Sequence, residues 1–257
     1  MALKIGPNTK IIRSFIPTTI QELRNKIAQT KQDGEKWECD LSLLEITVIV
    51  NLFRGCTGLK SVVIPESVTK IGHRAFSGCT GLTSIVIPES VTEIGNYAFS
   101  GCTLLTSVVI PESVTEIGYR AFDGCTGLTS IVIPESVTEI GNNAFENCTG
   151  LTSIVIPESV TVIGWGAFSG CTRLTSVVIP KGVTKIGDYA FKNCVNLKEV
   201  TLPVGVKKIE EYSFSSCNAL ETIYVPAEKT EYYEKRLPCK LHDRIVELEP
   251  VKKAKKK

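Results

Sequence analysis

The sequence predicts an α/β repeat solenoid, a single elongated array of stacked units. A 23-residue unit recurs along most of the chain, and residues 82–104, LTSIVIPESVTEIGNYAFSGCTL, typify it. The same positions are apolar in every copy. Self-similarity at a fixed period of about 20–50 residues indicates an array in which each unit completes the core of its neighbours. The copies begin at Leu59, Leu82, Leu105, Leu128, Leu151, Leu174 and Leu197, with a degraded copy at Leu220.

Residues 1–58 do not repeat fully, and we interpret them as an N-terminal cap with one helix and a partial repeat. Thr19 and Glu22 have the spacing of a capping box, which predicts a helix over about residues 20–32. Trp37 and the run LSLLEITVIV then provide apolar cover, because the open end of a solenoid core has to be hidden from water.

Each unit is predicted to contain two short strands and one turn. In the unit at 82–104, Leu82, Ile85 and Ile87 should point inward, and Ser84 and Val86 outward. The following proline lacks an amide donor and marks the end of the strand. A shorter second strand precedes a glycine, and the stretch A-F-x-x-C, with spacings of three and four, predicts a helical turn.

Most of the cysteines follow the repeat, which favours a structural role. The chain has ten cysteines, two histidines and no C-x-x-C pair, so the closely spaced ligands of a zinc site are missing. We therefore expect one buried column of reduced thiols, with Cys39 and Cys239 outside it. The column consists of Cys56, Cys79, Cys102, Cys125, Cys148, Cys171, Cys194 and Cys217.

The repeat pattern ends after the copy at Leu220. We predict a solenoid over residues 59–226, followed by a C-terminal cap and basic tail at 227–257. In this last region AEKTEYYEKRL predicts a helix ended by Pro238, IVELEP a final strand, and KKAKKK a solvated tail.

The pattern L-x-x-I-x-I-P-x-x-V-x-x-I-x-x-x-A-F-x-x-C resembles the BspA-like class of leucine-rich repeats over about residues 46–226. The resemblance implies a right-handed solenoid with a parallel β-sheet on one face, short second strands and helical turns on the other, and caps at both ends. It also implies a non-enzymatic binding scaffold. Members of such families are often exported to the surfaces of mucosa-associated bacteria and protozoa, where they adhere to host proteins.

Charge and hydropathy bear on the compartment. The net charge is +2, but residues 82–173 contain nine acidic and two basic side chains, so this middle carries −7 and the ends together +9. The N-terminus MALKIGPNTK lacks the apolar region of a signal peptide, and no apolar run is long enough to span a bilayer. The chain as given is expected to be cytoplasmic, whereas a trimmed N-terminus would place it at the cell surface or outside.

The sequence contains no recognisable catalytic or cofactor-binding motif, so we predict a protein that is not an enzyme and holds no cofactor or metal. His73 lies at a variable position and should be exposed to solvent. The tail at 252–257 has no interleaved aromatics, which argues against a nucleic-acid partner. One column of carboxylates is typical of a solvated corner, although it could also attract Ca²⁺ or a basic partner. This column is Glu66, Glu89, Glu112, Glu135 and Glu158.

Two variable positions follow Ile-Gly in six units, and Ile209-Glu210 in the seventh, and aromatic residues and arginine are frequent there. These residue types dominate interface hot spots, so the positions predict a partner-binding stripe. The alternative is that an exposed turn varies freely because packing does not constrain it. The candidate residues are Tyr97, Tyr119, Arg120, Trp165, Tyr189 and Tyr212.

A second candidate surface is a row of outward-facing valines on the first strands. An exposed apolar row can be an interaction site or can pair two copies of the chain, whereas the alternative is the preference of β-branched residues for sheets. The candidates are Val86, Val109, Val132, Val155 and Val178.

The two surfaces together predict a scaffold for protein–protein interaction, whose partner the sequence does not identify. A carbohydrate-binding module that uses the same aromatic residues as stacking platforms is the alternative. Self-association through the valine row is compatible with either function.

Overall fold

The structure, a computed structural model, describes residues 14–33 and 35–249 and forms a parallel β-solenoid. In chain order the elements are β1 (Ser14–Phe15), α1 (Ile20–Asp33), β2 (Trp37–Asp40), β3 (Val48–Ile49), β4 (Leu59–Val63), β5 (Lys70–Ile71), β6 (Glu93–Ile94), β7 (Glu116–Ile117), β8 (Ser130–Val132), β9 (Glu139–Ile140), β10 (Ser153–Val155), β11 (Val162–Ile163), β12 (Ser176–Val178), β13 (Lys185–Ile186), β14 (Glu199–Thr201), β15 (Lys208–Ile209), β16 (Thr222–Val225), α2 (Thr230–Glu234), a 3-10 helix (Cys239–Arg244) and β17 (Ile245–Glu247).

The strands form two sides of the solenoid. On the main side, strands β1-β2-β4, β8-β10 and β12-β14-β16-β17 form three parallel ladders, and single bridges join Val86 to Val109 and Val109 to Val132. On the second side, two-residue strands form one continuous sheet in the order β15-β13-β11-β9-β7-β6-β5-β3. The predicted short second strands are therefore present, and each contributes one rung of this second sheet.

The predicted inward positions make up the core. Leu82, Ile85 and Ile87 are buried, whereas Ser84 and Val86 are exposed. Phenylalanine rings from successive rungs stack with centroids 5.1–5.4 Å apart, in a column from Phe53 to Phe214. All eight cysteines of the predicted column are buried and carry free thiols. One continuous core therefore runs along the solenoid axis, as expected for an array of interdependent units.

The predicted helical turn at A-F-x-x-C is absent, and successive tight turns replace it. The amides of Ala75 and Cys79 donate to carbonyls three residues back, but the amide of Phe76 donates to Ala98 O in the next rung, at 2.7 Å. Positive φ values, 51° at Arg74 and 73° at Gly78, also interrupt any helix. The prediction was wrong because apolar spacings of three and four fit these turns as well as they fit a helix.

The N-terminal part confirms the predicted helix and adds a rung. Helix α1 begins at Ile20, and Thr19 Oγ1 accepts the Glu22 amide at 3.1 Å. Strands β2 and β3 pair with the next rung on the main and second sides, so the stretch 37–58 forms a rung of its own.

At the other end, α2 is shorter than predicted, and β17 is the predicted last strand, paired with β16. The lysine tail at 252–257 lies outside the described residues. The division into a cap at 1–58, a solenoid at 59–226 and a cap at 227–257 stays a prediction.

Candidate functional site

The stripe lies in the turn that follows each second strand, where the backbone enters the left-handed region. The second variable position of most rungs has φ between 51° and 59°, although the residue there is rarely glycine. Arg74, Tyr97, Arg120 and Tyr189 adopt this conformation, and only one rung places glycine there, at Gly166. For a non-glycine residue the left-handed region costs about 1–2 kcal/mol. The stripe thus carries large side chains at positions where glycine would be free of strain.

The aromatic side chains of the stripe form two separate groups. In the first, the rings of His73 and Tyr97 are 5.9 Å apart and those of Tyr97 and Tyr119 are 5.2 Å apart, both edge to face. The guanidinium groups of Arg74 and Arg120 lie 5.2 and 5.5 Å from the ring centroids of Tyr97 and Tyr119. His73 is exposed, as predicted.

The second group lies towards the C-terminus and contains the largest aromatic side chain of the stripe. Trp165 contacts Tyr189 edge to face at 5.5 Å, and Tyr189 stacks on Tyr212 at 5.5 Å. Lys192 Nζ lies 4.9 Å from the centroid of Tyr189. Trp165 is 46% exposed. A rung that carries Asn142 and Asn143 instead of aromatics separates the two groups.

Short polar side chains hold the turns that display these rings. Asn96 Oδ1 accepts the backbone N–H of Tyr119 at 2.8 Å, and Asn142 Oδ1 accepts that of Trp165 at 2.7 Å. Asp188 Oδ1 accepts the backbone N–H of Tyr212 at 3.0 Å. In the five successive rungs from Asn96 to Asp188, the residue at the first variable position is therefore in turn a polar acceptor (Asn or Asp) and an aromatic side chain.

A charged cluster joins two rungs of the stripe. Arg120 pairs with Asp123 at 2.9 Å and with Glu146 at 3.0 Å, and Arg120 Nε donates to Tyr119 Oη at 2.9 Å. Burial raises the pKa of Glu146, while Arg120 acts in the opposite direction. Because both carboxylates contact Arg120, its charge is compensated within the stripe.

The valine row is exposed on the main side of the solenoid, as predicted. Val86 and Val109 are 79% and 78% exposed, and Val132, Val155 and Val178 are all more than half exposed. The row and the stripe belong to different sides of each rung, because the valines lie on the strands or single bridges of the main side and the stripe follows the second strands. The structure thus keeps them as two separate candidate surfaces.

Comparison with known proteins places this arrangement in a family. The family model for the BspA type leucine-rich repeat region, with six copies, matches residues 46–175 and 138–239. The chain belongs to the BspA-type leucine-rich repeat family. A comparison with curated proteins gave no match.

Solved structures agree with the BspA-type assignment. A leucine-rich cell surface protein from Faecalibacterium prausnitzii A2-165 is 30% identical over 76% of this chain and 65% of that one, with a TM-score of 0.51. A leucine-rich repeat protein from Bacteroides ovatus ATCC 8483 is 29% identical over 79% and 64%, with a TM-score of 0.60. The T. pallidum leucine-rich repeat protein is 34% identical over 73% and 84%, with a TM-score of 0.53. The chain thus spans just under two thirds of the first two proteins.

Sequence reasoning missed two kinds of stripe residue in this BspA-type protein. One is Lys192, whose position three residues after Tyr189 was the available signal. The other is the acceptor role of Asn96, Asn142 and Asp188, which stand at the predicted variable positions and whose two-rung alternation was the available signal. Across residues 14–33 and 35–249, no cluster of three or more histidine, cysteine or acidic side chains could hold a metal ion, and no helix has the length and apolarity to cross a membrane.

Proposed function

We propose that this BspA-type chain is a non-enzymatic scaffold that binds a protein through the stripe, with the valine row as a second contact surface. The left-handed backbone at Arg74, Tyr97, Arg120 and Tyr189 carries the proposal. If the turn varied without selection for binding, residues that tolerate this conformation, such as Gly166, should predominate. Strain that persists at several related positions is typical of functional sites.

The chemistry of the stripe fits a protein interface. Tyrosine, tryptophan and arginine supply most of the energy at interface hot spots, because they bury large areas with few rotatable bonds. Here the rings of each group already contact one another, so they lose less side-chain freedom on binding than isolated aromatics would. A pre-organised stripe of this kind suits a partner that lies along the solenoid axis.

The valine row supports a second contact, with another copy of the chain or with the same partner. Exposed apolar side chains in consecutive rungs form a contiguous surface, which is less common than scattered exposed residues. Self-association through this row is part of the proposal. Sedimentation analysis tests self-association by comparing the chain with a variant in which Val109 and Val132 are changed to Thr. A dimer that persists in the variant would exclude the valine row as its interface.

The setting we propose is the cell surface or the extracellular space, with adhesion to host proteins as the role of an exported chain. Support comes from the similarity to the F. prausnitzii protein, which is described as a cell surface protein. We also propose that the solenoid is right-handed, as the resemblance of its repeat pattern implies. Fractionation of the native cells, followed by detection of the chain, separates a surface location from a cytoplasmic one.

The stripe is tested by affinity capture with matched variants, followed by direct binding measurements on any captured protein. One variant changes Tyr97, Tyr119, Trp165 and Tyr189 to Ala, and it should lose the partner. The control changes four corner carboxylates to Gln and should keep it. Those control positions are Glu66, Glu89, Glu112 and Glu135, all exposed and away from the stripe. Undiminished binding by the aromatic variant would exclude the stripe as the binding surface.

A carbohydrate-binding module is the second candidate, because the exposed Trp165 ring lies beside polar side chains that could bond sugar hydroxyls. A glycan array distinguishes the two. A protein-binding scaffold gives no saccharide-dependent signal, whereas a lectin gives a signal that the Trp165→Ala change removes.

A further inference from the structure

A groove of about 570 Å³ opens between two rungs of the second side, beside the stripe and at the border between its two aromatic groups. Thr115, Glu116, Tyr119, Glu139 and Asn142 are among the residues that line it. A smaller neighbouring groove of about 370 Å³ shares Glu139 and Asn142 and reaches Trp165. The larger volume falls in the range of ligand sites, about 300–1,000 Å³.

The groove opens where the second sheet loses part of its backbone pairing. Strands β7 and β9 are joined only through Ile117 and Ile140, whereas every other neighbouring pair of this sheet is joined through both residues. Elsewhere the threonine before the strand donates its amide and its hydroxyl to the equivalent carbonyl one rung earlier, as Thr161 does to Thr138. Among the described residues Thr138 makes neither bond, so Thr115 O lacks its two usual donors.

The glutamates beside the groove differ from the equivalent glutamate one rung earlier in their charge partners. Residues 92–95, 115–118 and 138–141 share the sequence T-E-I-G, so local sequence does not distinguish the rungs. Glu93, however, pairs with Lys70 at 2.5 Å, whereas in the described parts of the chain neither Glu116 nor Glu139 forms an ion pair. Stacked unpaired carboxylates destabilise a sheet when they lie opposite each other. The groove therefore lies beside two carboxylates that have no ion-pair partner among the described residues.

The groove offers hydrogen-bond acceptors and aromatic faces. The two carboxylates and Thr115 O accept hydrogen bonds, and the rings of Tyr119 and Trp165 flank the shared residue Asn142. Aromatic rings attract cations within about 6 Å of their centroids. Arg120, whose guanidinium lies 5.5 Å from the centroid of the Tyr119 ring, is already paired with Asp123 and Glu146 and forms no ion pair with Glu116 or Glu139.

We propose that this groove binds a lysine or arginine side chain from an extended basic segment of a partner protein. The inference rests on the proposed scaffold function and assigns the partner's chemistry: a cation would satisfy both carboxylates and the free carbonyl. A neutral saccharide would leave the two charges in place, and an anion would add to the repulsion. The charge of −7 over residues 82–173 also steers a basic segment towards these rungs.

The test uses a fluorescein-labelled hexa-arginine peptide, with a hexa-citrulline peptide of the same shape but without charge, in anisotropy titrations of the full chain. The groove variant combines Glu116→Gln with Glu139→Gln. The matched control combines Glu112→Gln with Glu135→Gln, which removes the same charge from the same two rungs at exposed positions outside the groove. Circular dichroism and unfolding midpoints verify that both variants fold.

We expect the groove variant to bind the arginine peptide about tenfold more weakly than the parent chain, and the control variant less than about twofold more weakly. The parent chain should bind the citrulline peptide at least about tenfold more weakly than the arginine peptide. Equal weakening by both variants would show that overall negative charge, and not the groove, determines binding. Unchanged binding by the groove variant would exclude the groove as the binding site. A saccharide signal that depends on Glu116 and Glu139 would assign the groove to a glycan. If the partner captured through the stripe is bound equally well by the groove variant, the groove proposal fails while the scaffold function stands.

Discussion

The thiol of Cys125 donates a hydrogen bond to the carbonyl oxygen of Phe99, with Sγ and O 3.2 Å apart. The same carbonyl accepts the backbone N–H of Cys102, in its own rung, at 3.1 Å. Each core phenylalanine from Phe53 to Phe191 has this pair of donors, one from its own rung and one from the next. The cysteine column thus satisfies buried carbonyls that a purely apolar side chain would leave with one donor.

Thiol accessibility tests this column directly. Nine of the ten cysteines are buried and Cys239 is exposed. With a reducing agent removed just before the assay, an aromatic disulfide reagent should therefore titrate one thiol in the native chain and ten after denaturation. The Cys239→Ser variant should show none in the native state. Rapid reaction of further thiols in that variant would contradict the buried column.

Stability should fall at alkaline pH. Burial raises the pKa of Cys56 to about 11 and those of Cys39 and Cys217 to about 12, from an ordinary value of 9.0. Above pH 9 the unfolded thiols lose protons that the folded ones retain, so the free energy of unfolding decreases as pH rises towards the folded pKa values. Below pH 9 this contribution is fully present. Each thiol accounts for about 1.4 kcal/mol per pH unit above 9.

The thiol contribution can be separated from other alkaline titrations with one variant. Burial also raises the pKa of Cys148 well above its ordinary value. Urea unfolding at several pH values, in reducing buffer, should therefore show that Cys148→Ala becomes relatively less destabilising above pH 9. If the difference in the free energy of unfolding between the parent chain and Cys148→Ala does not change with pH up to about 10.5, this thiol does not titrate as described.

The 23-residue period predicted most of the fold, because an array repeats each local solution in every rung. Inward and outward positions and the short second strands could all be derived from it. The turn was not predictable, since amides such as that of Phe76 pair with a neighbouring rung. The groove was also hidden, because the identical T-E-I-G sequences at 92–95, 115–118 and 138–141 pair differently: strands β6 and β7 are joined through two residues each, but β7 and β9 through one.

The core prediction concerns a single ring of the phenylalanine column. Phe122 is fully buried and stacks on Phe99 at 5.1 Å and on Phe145 at 5.4 Å. Phe122→Ala should reduce the free energy of unfolding by about 3–5 kcal/mol, because it leaves a cavity and removes both stacking contacts. Chemical denaturation measures the loss, and Val132→Ala, at an exposed position, should stay within about 0.5 kcal/mol of the parent. A loss below about 1 kcal/mol for Phe122→Ala would be inconsistent with this packing.

The stripe makes an unusual prediction about glycine. Tyr97 has φ 58°, so both Tyr97→Ala and Tyr97→Gly remove the ring, but only glycine also removes the left-handed strain. The glycine variant should therefore be more stable than the alanine variant by about 1 kcal/mol, the reverse of the usual order. His73 is exposed and is not among the residues with a positive φ. At this control position the alanine variant should be at least as stable as the glycine variant. Parallel urea titrations of the four variants measure both differences. The usual order at Tyr97 would show that its backbone carries no strain, and would remove the main support for a stripe maintained by binding.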